Sequence, residues 1–116
     1  MITQQQIHQV VQKIASHYKP EKIILFGSYA DGTACEDSDL DLLVVVKTSD
    51  QPRHKRARNI RKLLWGTLDV PKDIVVYTEK EINEWENVKE AFITTAIITG
   101  RILYENKGGV NPKLAE

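Results

Sequence analysis

Apolar residues recur at positions 7, 10, 11 and 14 of the chain, the spacing of one helical face. That spacing predicts an amphipathic helix over residues 3–18, with Thr3 as its cap and Lys19-Pro20 as its stop. The period then changes. Lys22 to Phe26 is a short Ile-rich run, read as a first strand, and Gly27-Ser28 follows at once. Ser28 to Ala30 opens a short helix that Asp31-Gly32 breaks, and residues 33–38 read as loop. Leu40 to Val46 is almost continuously apolar, which predicts a strand buried on both faces. Ala57, Ile60, Leu64 and Leu68 then form one stripe of a helix over 53–68, closed by Asp69-Val70-Pro71.

Lys72 to Tyr77 reads as a third strand. Thr78 with Glu81 three residues on is a capping box for the helical stretch TEKEINEWEN. Val88 to Thr99 reads as a further helix stopped by Gly100, and Arg101 to Tyr104 as a short last strand. Helices alternating with strands predict an α/β or α+β domain around a small central sheet. The expected division is one domain over 1–104 and a flexible tail over 105–116.

Composition narrows the reading. The 116 residues suit one compact domain, and 16 basic side chains balance 16 acidic ones. No global field draws the chain to nucleic acid or membrane, so direct nucleic-acid binding is not expected and any electrostatic specialisation is local. No apolar run approaches the roughly 20 residues of a bilayer span, and the amino terminus lacks the pattern of a signal peptide. With Cys35 as the single cysteine, a cytoplasmic location is expected.

The chemistry lies in ILFGSYADGTACEDSDLDLLVVV, residues 24–46. Side chains alternate along a strand, so Asp39 and Asp41 are expected on one side and Leu40 and Leu42 on the other. Asp73, near the start of the third strand, joins them if the two strands pair. Clustered carboxylates resist ionisation, and a divalent cation relieves that penalty. Mg²⁺ is the natural candidate, because it is commonly held by one or two carboxylates together with substrate phosphates. Gly27 lets a phosphate approach the backbone, and Ser28 supplies a hydroxyl donor and the start of a helix. A phosphate cradle beside such carboxylates is what phosphoryl or nucleotidyl transfer requires.

Two spacings carry a resemblance. In GSYADGTACEDSDLD, Gly-Ser is followed by ten residues and then Asp-x-Asp, between two apolar strands. This resembles the signature of the DNA polymerase beta-like nucleotidyltransferase superfamily, and the short chain resembles its minimal nucleotidyltransferases over about residues 3–104. The resemblance implies that family's fold, a small mixed sheet flanked by helices. It also implies that Gly27 and Ser28 hold the triphosphate of ATP. Asp39 and Asp41 would ligate two Mg²⁺, and Asp73 would be the third carboxylate, beside the attacking hydroxyl. Members are commonly antitoxins of HEPN-domain toxins, so the implied reaction is AMP transfer from ATP to a toxin tyrosine within a hetero-complex, or with a homo-oligomer. The alternatives are a catalytically weak antitoxin that neutralises its HEPN partner by binding alone, and a transferase acting on a small molecule. Many relatives carry a basic residue where this chain has Asp31, which is expected to face solvent.

The remaining features have plainer readings. RHKRARNIRK, residues 53–62, is first a solvated helix face and second a basic face that docks an acidic partner or touches RNA. His8, His17 and His54 lack metal-ligand spacing and are read as surface residues. Cys35 has no adjacent base to activate it as a nucleophile. Trp65 and Trp85 are read as helix-packing residues, with an interface anchor as the alternative, and Tyr104 as packing.

Overall fold

A computed structural model describes residues 2–66, 72–85, 96, 97, 99–106, 113 and 114. Helix α1 runs Gln4–Tyr18. The Thr3 side chain accepts from the Gln6 N–H while the Gln6 side chain accepts from the Thr3 N–H, so two end donors are satisfied reciprocally. Lys19, in the left-handed region, closes it. The helix buries Ile7, Val10, Val11 and Ile14, the predicted stripe.

Strand β1, Lys22–Phe26, leads through Gly27 into the single turn α2, Ser28–Asp31. Strand β2, Leu40–Val46, helix α3, Arg53–Leu64, and strand β3, Lys72–Thr78, form a β-α-β unit with β2 and β3 parallel. Helix α4 is Glu79–Trp85, strand β4 Arg101–Glu105 and strand β5 Lys113–Leu114. The sheet order is β3-β2-β1-β4-β5, and all neighbours except β2 and β3 are antiparallel. The sheet is therefore mixed, with helices on its faces. Strand β5 falls in the stretch read from the sequence as tail.

Alternation along β2 separates two cores. Leu40, Leu42 and Val44 pack with α1 and α3. Leu43 and Val45 pack with Ile24, Tyr77 and Ala96 on the other face, against Ile82 of α4. Burial on both faces explains why β2 reads as a continuous apolar run.

Two expectations need adjustment. Helix α3 ends at Leu64 instead of 68, because Trp65 turns extended and Gly66 takes φ +80°. Trp65 does not pack helices: it is 87% exposed. Most of the helix expected over Val88 to Thr99 lies outside the described residues, as does the side chain of Trp85. Tyr104 is buried, as read.

The capping box at α4 is also a clamp between layers. Glu81 accepts from the Thr78 N–H at 2.8 Å and from Arg56 of α3 at 2.5 Å, and Arg56 also donates to the Val76 carbonyl at 3.2 Å. Burial pushes the Glu81 carboxyl up, but the Arg56 guanidinium and the Thr78 N–H outweigh it and hold it below its usual value. An acid depressed on folding stabilises the chain above its unfolded pKa, and that contribution is lost as pH falls through the folded value. Glu81→Ala leaves the nearly buried Arg56 guanidinium unpaired, so a loss of about 3 kcal/mol in urea unfolding is expected. A change under 0.5 kcal/mol would show the pair to be solvated and weak.

Candidate active site

The register of three strands lays one row across the sheet: Phe26 on β1 pairs with Asp41 on β2, and Asp41 with Asp73 on β3. Residues opposite each other share a face, and adjacent strands lie about 4.8 Å apart, so the two aspartates are neighbours. The core residues Ile24, Leu43 and Val75 form the next row on the same face. Asp41 is thus the point where an apolar sheet face turns acidic. It is partly buried, whereas Asp73 and Asp39 are exposed.

The Asp41 carboxyl is pushed up to about 6 from an ordinary 3.8. Burial contributes most, followed by the negative charge of Asp73 and then that of Asp39. All three aspartates therefore share one electrostatic neighbourhood.

Gly27 sits directly against this group. Its φ of +75° and ψ of −155° are open essentially to glycine alone. A Cβ there would run into Asp41 Oδ2, with Asp41 Cγ at 3.1 Å. The glycine makes room for the Asp41 carboxylate, a role that depends on the β1–β2 register. Beyond it, the Gly27 carbonyl accepts from the N–H groups of Ala30 and Asp31, and that of Ser28 from Gly32 and Thr33. Ser28 also borders a cleft of about 310 Å³ with Tyr29, His8 and Arg101. Asp31 is exposed and accepts from the Thr33 N–H at 3.0 Å and hydroxyl at 2.5 Å, so its charge is tied into its own turn.

Among the described residues, no three His, Cys, Asp or Glu side chains close up as a metal-holding group. A cation at these carboxylates would be one shared with substrate phosphates, in the manner of Mg²⁺. The raised Asp41 carboxyl is the observation that favours a cation here: a positive ion at this point removes the repulsion that protonation otherwise relieves.

Sequence reasoning placed these residues but missed two neighbours. Phe26 in the carboxylate row depends on an antiparallel register. Arg61 of α3, which borders a groove with Asp73, was legible only as part of a charge run. Its position follows from the β-α-β crossover, which returns the end of α3 to the start of β3. Among the described residues, no helix is long and apolar enough to cross a membrane.

Comparison with known proteins bears on the family and the fold. A family model described as "Nucleotidyltransferase domain" matches residues 7–98. A protein of Methanocaldococcus jannaschii named "Putative protein adenylyltransferase" is 52% identical over 42 residues, 36% of this chain and 29% of that protein. A second protein of that organism and name is 28% identical over 95 residues, 72% of this chain and 95% of its own length. The chain thus spans less than a third of the first relative and nearly all of the second. In fold, it is similar to the crystal structure of "a putative nucleotidyltransferase from Sulfolobus solfataricus", with a TM-score of 0.62 at 23% identity, over 92% of this chain and 85% of that one. It is also similar in fold to a chain of a "toxin-antitoxin with AMP-PNP", with a TM-score of 0.53 at 20% identity, over 91% of this chain and 76% of that one. Matched over most of its length and folded as a small mixed sheet with the Gly-Ser turn facing Asp41, the chain belongs to the nucleotidyltransferase domain family, among its minimal members.

Proposed function

We propose that this chain is a protein adenylyltransferase that moves AMP from ATP onto a hydroxyl of a partner protein, a tyrosine of a HEPN toxin, and so acts as an antitoxin. The observation that carries the reading is Asp41 in register with Asp73 on one sheet face, its carboxyl pushed up to about 6, with Gly27 packed against it. Names of relatives support the reaction class, and one structural neighbour comes from a toxin–antitoxin complex holding an ATP analogue.

In this reading Gly27 and Ser28 hold the triphosphate through backbone N–H groups and the Ser28 hydroxyl. Asp39, Asp41 and Asp73 hold Mg²⁺, with two ions expected from the family resemblance. Mg²⁺ held there would supply charge neutralisation at the phosphates and a lower pKa for the attacking hydroxyl. The acceptor oxygen forms a bond to the α-phosphorus, the bond to the bridging oxygen of pyrophosphate breaks, and pyrophosphate leaves. Asp73, exposed at the sheet edge, takes the hydroxyl proton.

A second reading has its own observation. Asp31, exposed on the turn after Gly27-Ser28, carries a charge of the sign that repels a triphosphate, which fits a chain that neutralises a HEPN partner by docking alone. Incubating the chain and the toxin purified from its complex with ATP labelled at the α-phosphate separates the two. Label on the partner that depends on Mg²⁺ supports transfer. An unlabelled partner that is nonetheless bound and inactive supports docking.

A further inference from the structure

We propose that the groove between α3 and the outer edge of β3 receives an extended, acidic segment of the acceptor protein. The proposal rests on the transferase reading, since it assigns the groove to that reaction's protein substrate.

Strand β3 ends the sheet, and among the described residues it pairs only with β2. Such an edge offers an added strand those backbone groups that are not already held, as the Val76 carbonyl is by Arg56 and the Thr78 N–H by Glu81. The groove beside it, about 510 Å³, runs from Asp73 to Tyr77 and is walled by Arg53, His54 and Arg61 of α3. Helix α3 carries six Lys or Arg and no Asp or Glu in its twelve residues, within a chain of zero net charge. Its cations divide by role. Arg56 is held by Glu81 and the Val76 carbonyl. Arg53 lies 4.8 Å over the Tyr77 ring, which fixes its guanidinium along the groove. Arg61 is exposed at the other end, near Asp73.

The groove therefore leads to the candidate site. Trp65, four residues beyond Arg61 and just past the end of α3, is 87% exposed. An exposed Trp flanked by cations is the composition of an interface anchor. A strand edge matches the repeat of an extended peptide, whereas RNA recognition calls for several stacking aromatics along the cationic surface. One exposed Trp, a Tyr77 ring already covered by Arg53, and no Phe, Trp or Tyr within α3 favour the peptide.

The test uses the full chain without ATP or divalent cation. The probe is a fluorescent peptide alternating Glu and Val around one Tyr, read by anisotropy. Binding is expected to weaken with salt and to fall roughly tenfold in Arg53→Ala/Arg61→Ala, as the loss of two ion pairs predicts. Trp65→Ala is expected to weaken it as well. The same peptide with Lys for Glu is expected not to bind. Absent binding, equal binding by the variants, or preference for a single-stranded RNA of matched charge would each overturn the proposal. Asp39→Asn/Asp41→Asn is expected to keep peptide binding, so a failure of catalysis does not imitate a failure of the groove. Undiminished labelling of the partner by Arg53→Ala/Arg61→Ala would sink the groove and leave the transferase reading standing.

Discussion

Replacing Asp39 and Asp41 together by Asn is expected to remove AMP transfer, by about a thousandfold or more, while the chain stays folded and becomes more stable without divalent cations. The two effects have one origin. Asp41 is pushed up to about 6 by burial and by the charges of Asp73 and Asp39. An acid whose pKa is raised on folding binds its proton more readily in the folded chain. The wild-type chain therefore loses stability as pH rises from about 4, its unfolded value, to about 6. Discounted for the partial exposure of Asp41, that loss is of the order of 1–2 kcal/mol. Asn carries no charge, so the double variant should melt about 5 °C higher than wild type at pH 7, and the two should converge near pH 4. Mg²⁺ should narrow the gap at pH 7, because it stabilises only the chain that binds it. Thermal melts across this pH range, paired with α-labelled ATP assays, check both halves. A folded variant that still labels its partner contradicts the assignment of these carboxylates, and an unfolded one makes their role structural.

Gly27→Ala is expected to be the most damaging single substitution in the site. The backbone at φ +75° and ψ −155° costs a non-glycine residue about 1–3 kcal/mol. The new methyl also meets the Asp41 carboxylate, which must leave its place. A combined loss of about 2–4 kcal/mol is expected, with transfer lost even where the variant remains folded. Gly32→Ala is the control: φ there is +84°, but nothing lies within 4 Å of the added methyl. It should cost about 1 kcal/mol and leave transfer intact. Equal losses in the two variants would show that backbone strain alone, and not the Asp41 contact, governs Gly27.

The contrast between these glycines marks how far the sequence could be read. Periodicity located α1, β1, β2 and β3 to within a residue, because each buries a regular stripe or run. Gly-Ser, the ten-residue gap and Asp-x-Asp placed the site on the turn after β1 and the mouth of β2. Pairing register was not legible. It sets Phe26 and Asp73 on either side of Asp41, and it brings Gly27 onto the Asp41 carboxylate. The end of α3 was misread because Leu68 continued the apolar stripe, while Trp65 and Gly66 break the helix first. Trp65 read as a helix-packing residue, yet its place after the last buried turn leaves it in solvent. The charge run on α3 split only when the neighbours were known: Arg56 faces Glu81, and Arg53 faces Tyr77.

The most direct measurement is a pH titration of the Asp41 side-chain carboxyl by carbon NMR, alone and with Mg²⁺ plus a non-hydrolysable ATP analogue. The account predicts a midpoint near 6 in the free chain, which drops below the ordinary carboxylate value when the cation and triphosphate are added. A midpoint near 4 that Mg²⁺ and the analogue leave unmoved would contradict a metal-holding role for this aspartate, and with it the proposed chemistry.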